Sequence, residues 1–73
     1  MFNEEAWNVF CKKQPMWAVQ AKKYATEELE WLHSNPMEQT EKRFERFHEV
    51  MEQNGIFRRT GTLEEDLRML LSV

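Results

Sequence analysis

Cysteine, glycine and proline are scarce in this 73-residue chain, with one, two and two copies respectively. The lone Cys11 excludes an internal disulfide framework and a zinc site built on paired thiolates, and it suits a reducing, cytoplasmic setting. Gly55 and Gly61 are too few and too isolated to make a phosphate-cradling loop. No apolar run approaches the roughly 18 residues that cross a bilayer, so an integral membrane role is excluded. The opening MFNEEAWNVF lacks the positive start and apolar stretch of an export signal. Charge of one sign is also missing: 13 acidic against 10 basic side chains leave a net charge of −3, without the basic excess of a phosphate-neutralising protein or the acidic excess of a DNA mimic.

What is present is helical period. Apolar residues at 41% and charged residues at 32% describe a chain that folds, and the length allows one domain with one core. Asn3 is a predicted N-cap for helix A over residues 4–13, with Glu4 and Glu5 opposing the positive helix end. Pro15 suits the first turn of helix B, which runs over 15–33 through residues rich in Ala, Lys, Glu and Leu. At about 100° per residue, Trp17, Tyr24 and Trp31 fall on one stripe of B, and Ala18, Ala21, Ala25, Leu29 and Leu32 on another. Pro36 opens helix C over 36–54, whose inward stripe is Met37, Thr40, Phe44, Phe47 and Met51. Asn54-Gly55 supplies a left-handed stop, after which Ile56 folds back onto Val50 or Met51. Residues 56–61 have no helical period, and Thr62 with Glu65 forms a capping box for helix D over 63–72. The expectation is an all-α bundle of about four helices around a central antiparallel hairpin of B and C.

The aromatic stripe of B reads as core in a domain this small, with a partner interface as its alternative, because B has more apolar circumference than one neighbour covers. Glu28 lies within that arc. Since Glu is rarely fully buried, it is expected at the arc's edge, in reach of water; a buried Glu28 would need a backbone donor or an arginine to answer it, for which Arg58, Arg59 and Arg68 are the candidates. On helix C, Glu38, Glu41, Glu45, Glu49 and Glu52 line one flank, with like charges four apart that cost a few tenths of a kcal/mol per pair and hint at a basic partner.

The chemistry-bearing patterns are weak. Glu45 and His48 make one E-x-x-H pair, where carboxylate-bridged metal bundles need two copies and further inward glutamates; no metal is expected. Cys11 lies on the apolar side of helix A with nothing local to activate it, which reads as a buried structural thiol. Three basic doublets, Lys12 with Lys13, Lys22 with Lys23, and Arg58 with Arg59, could contact nucleic acid, but a B–C helix-turn-helix would present Glu38 and Glu41 to the phosphates.

These observations lead to a non-enzymatic protein-binding module, an adaptor or stoichiometric inhibitor that uses no cofactor. Size and composition suit small accessory proteins, including those that bacterial viruses make against host machinery. The expected contact surface joins Glu28 and Trp31 of B to Glu41 and Glu45 of C, facing a partner with a basic surface. A homodimer is compatible with this reading and a membrane partner is not expected. The alternative is a small nucleic-acid-associated regulator acting through Lys12, Lys13, Lys22, Lys23, Arg58 and Arg59.

Overall fold

The computed structural model describes residues 2–35, 42–57 and 63–73. Helix α1 spans Glu4–Lys13 and is capped as its sequence requires: Asn3 Oδ1 accepts from the Ala6 N–H at 3.1 Å. Glu4 and Glu5 sit in its first turn and Lys12 and Lys13 in its last, both matched to the helix dipole. Gln14 alone separates α1 from α2, Pro15–Ser34, because Pro15 cannot donate to the preceding helix but fits the opening turn of the next. Asn35 closes α2, its backbone N–H and its Nδ2 each donating to the Trp31 carbonyl at 2.9 Å.

The third helical segment differs from its expectation. Among the described residues its regular α-helix, α3, occupies Glu45–Gln53, and the residues just before it, Lys42–Phe44, form a 3₁₀ turn. Position 44 would be the N-cap, yet it holds a phenylalanine that is fully buried and offers the first turn no acceptor. Residues 36–41, including Met37, Glu38, Thr40 and Glu41, lie outside the described residues.

The end of α3 follows its sequence closely. Gly55 takes φ +70°, its N–H donates to the Glu52 carbonyl at 3.0 Å, and the Ile56 N–H donates to the Met51 carbonyl at 2.9 Å. This is the Schellman pattern, with Ile56 folded onto Met51 and both side chains buried. Phe57 then pairs with Phe2 in an isolated antiparallel bridge, and the Asn3 N–H donates to the Ile56 carbonyl at 2.8 Å. Helix α4, Leu63–Ser72, completes the described chain. The proposed cap Thr62 falls outside the described residues.

The architecture is an all-α bundle, as expected, but the tightest neighbour of α2 is α4 rather than α3. Ala21 and Ala25, both fully buried on α2, are short enough to let a backbone approach closely. The two helices run antiparallel: His33 meets Glu64 at one end, and Lys22 Nζ donates to the Val73 carbonyl at the other. Helix α3 reaches α2 instead through large rings. Tyr24 stacks on Phe47 at 5.8 Å, and Trp31 meets Phe44 edge-on at 6.4 Å, which again gives an antiparallel sense. Trp7, Phe10, Phe47, Met51, Leu67 and Leu70 are central to the core.

Candidate partner-binding surface

At the C-terminal end of α2, Glu27, Glu30, Trp31, Ser34 and Asn35 line an open groove of about 310 Å³ with Arg43 of the 3₁₀ turn. The Trp31 side chain is half-buried, so one part of the indole is held and another faces the groove. Its backbone and its ring have separate contacts. Asn35 ties down the Trp31 carbonyl twice, and the Phe44 ring abuts the indole while the Arg43 guanidinium covers Phe44 at 4.5 Å. Tryptophan and arginine are the residue types that dominate binding energy at protein interfaces, and an indole already held loses little entropy on binding. Glu27 and Glu30 place two carboxylates on the groove's rim.

Glu28 does not belong to this surface, contrary to its placement at a solvated edge. It is fully buried, and its Oε1 accepts a hydrogen bond from His48 Nε2 at 2.7 Å. The partner among the described residues is therefore a histidine of α3 and not Arg68; Arg58 and Arg59 lie outside the described residues. Oε2 has no donor among the described residues. With His48 also lying against Phe47 and Phe57, the pair bridges α2 and α3 inside an aromatic wall, which makes it an element of architecture and not of contact.

Of the other residues expected at the surface, Glu45 is exposed in the first turn of α3, while Glu41 lies outside the described residues. The acidic flank is less uncommitted than its spacing suggests. Arg46 Nη1 and Gln53 Nε2 both donate to Glu49 Oε1, at 3.3 and 3.0 Å, which offsets the like-charge cost along that side. Among the basic doublets, Lys12, Lys13 and Lys23 are exposed, Lys22 is half-buried against the end of α4, and Arg58 and Arg59 are outside the described residues. The stripe expected in the core is only partly so: Trp17, Tyr24 and Trp31 are each half-buried.

Cys11 is also half-buried rather than sealed. Burial pushes its thiol above the ordinary range, and the charge of Lys22 pulls the other way. The thiol form therefore prevails at neutral pH, which disfavours nucleophilic chemistry. No group of three or more potential metal-ligating side chains is found among the described residues. Nor is any helix among them long and apolar enough to cross a membrane. Comparison with protein-family models, characterised proteins and solved structures finds no match.

The sequence did hold a signal for the Glu28–His48 pair. Glu28 lies inside the apolar arc of α2, and His48 follows Phe47 of the inward stripe of α3, so packing the two helices brings an acid and an imidazole together. Weighing His48 only against Glu45 on its own helix hides that pairing.

Proposed function

We propose that this chain is a non-enzymatic protein-binding module, an adaptor or stoichiometric inhibitor, that takes its partner in the Trp31 groove. The observation that carries the reading is the half-buried Trp31, its ring packed edge-on against Phe44 and rimmed by Glu27 and Glu30. A partner that lays a lysine or arginine stem over the indole brings its charge within reach of both carboxylates, combining a cation–π contact with charge complementarity. The partner's contact surface is basic, and Glu45 adds to the steering field from the neighbouring helix.

The test is affinity capture from the native host with the wild-type chain and two variants. Glu27→Lys with Glu30→Lys reverses the rim on exposed or half-exposed positions, and Trp31→Ala removes the anchor. The expected result is that both lose the captured protein while circular dichroism stays helical. Full-strength capture by the folded charge-reversed variant would remove the groove from consideration.

A further inference from the structure

The charges of this chain, balanced overall, are segregated along one stretch. From Ala6 to Thr26 there is no acidic residue and there are four lysines, Lys12, Lys13, Lys22 and Lys23. That segment carries +4 within a chain of net −3, so the remainder carries −7. The fold bends this segment once, at Gln14, into the end of α1 and the start of α2. Val9, Lys12 and Lys13 share one side of α1 by their spacing, and Met16, Val19, Gln20 and Lys23 share one side of α2. All seven are exposed. Met16 and Val19, at 80% and 73% exposure, are the most exposed large apolar side chains among the described residues. The two helices on either side of Gln14 thus each expose aliphatic side chains next to lysines, with Glu5 and Glu27 bounding the stretch.

We propose that this elbow is a docking surface for a bilayer rich in anionic phospholipid. Three features select that occupant. The cations are all lysines, whose flexible stems lie along apolar surface while their heads reach the phosphates, and lysine is depleted where proteins bind one another. The exposed apolar groups are aliphatic, which suits an acyl boundary; a single-stranded nucleic acid is gripped by exposed aromatics instead. Between Ala6 and Thr26 the side-chain charges are of one sign and spread over two helices, matching a negative lipid surface. No membrane partner is expected from the sequence alone, but adsorption asks only for shallow insertion of a few side chains, a different demand from spanning. Lys22, already bonded to the Val73 carbonyl, is left out of the contact set.

The experiment uses the full chain with vesicles of phosphatidylcholine alone and of phosphatidylcholine with about one third phosphatidylserine. Binding is read by co-sedimentation and by tryptophan emission, since the half-buried Trp17 adjoins Met16. The expected result is binding to the serine-lipid vesicles only, weakened by added salt. Each lysine is worth about a fivefold change in partitioning, so Lys12→Gln with Lys13→Gln lowers binding about 25-fold. Met16→Ser with Val19→Ser lowers it as well, while Arg46→Gln on α3 leaves it unchanged. No binding to serine-lipid vesicles at low salt overturns the proposal, as does binding indifferent to Met16 and Val19. Equal or tighter binding of duplex DNA with the same lysine dependence also overturns it, in favour of nucleic acid. Circular dichroism of every variant confirms that lost binding is not lost fold.

Discussion

His48 donates from Nε2 to Oε1 of Glu28 at 2.7 Å across the α2–α3 interface, and the two partners differ sharply in access to water. Glu28 has 0% of its side chain exposed and His48 has 19%. Removing either partner breaks the same bond, but the survivors fare differently. Without His48 the carboxyl has no route to solvent and no donor among the described residues; without Glu28 the imidazole can turn toward water. His48→Leu should therefore cost about 3–5 kcal/mol, the range for breaking a buried pair. Glu28→Leu should cost distinctly less, since an apolar side chain of similar volume replaces a buried charge. Urea unfolding midpoints of the two variants check this, and equal losses would show that the asymmetry of exposure is immaterial.

Gly55 allows a clean separation of backbone from packing. A Cβ added there meets nothing within 4 Å, so Gly55→Ala is penalised only for the left-handed φ of +70°. The expected loss is about 1–2 kcal/mol, and Gly55→Asn should recover part of it because asparagine tolerates that conformation. Thermal unfolding of the pair measures both. An asparagine variant no better than alanine would place the cost elsewhere than in the helix stop.

Cys11 should react slowly with iodoacetamide in the native protein at neutral pH. Burial raises its thiol above the ordinary range, so the thiolate fraction is smaller than that of a free cysteine. Lys22 acts in the opposite direction, and Lys22→Gln should slow alkylation further and move its pH profile upward. The raised value also means that the folded state holds its proton longer than the unfolded one. Stability supported by the neutral thiol is present below the ordinary thiol range and is lost as pH rises through the folded value. Alkylation rates followed against pH in both proteins decide the matter; a faster Lys22→Gln variant would reverse the assigned sign.

The parts of this fold legible in the sequence are those specified by neighbours in the chain. Asn3 caps α1, Pro15 opens α2, and Asn54-Gly55 with Ile56 closes α3, each through contacts within a few residues. The 3₁₀ turn at Lys42–Phe44 was not legible, because the helical period of the sequence runs through these residues unchanged. The close pairing of α2 with α4 was only narrowed down: the wide apolar arc of α2 calls for the first helix, the last helix or a partner to cover its second stripe, and Ala21 and Ala25 promise a near approach without naming which. At the surface, Trp31 was legible as an aromatic at the edge of a wide arc. Glu28 was misplaced because whether a carboxylate is buried depends on a donor twenty residues away in sequence. Met16 and Val19 lie outside both apolar stripes of α2, and only their exposure shows them to be surface features.

The bridge between Phe2 and Phe57, with the Asn3 N–H on the Ile56 carbonyl, imposes an order of assembly. The residue that caps α1 is anchored to a segment made more than fifty positions later, after α3 has turned at Gly55. During synthesis the local cap and the packing of α1 on α2 can form first, but this bridge cannot form until that turn exists. Its ring contacts, Phe2 with Trp7 and with Phe57, wait on the same event. Closing so long a loop carries an entropic cost that grows only slowly with length, so the delay is a matter of sequence order more than of stability. The contacts of Phe2 and of the Asn3 N–H are thus among the last that the emerging chain can make.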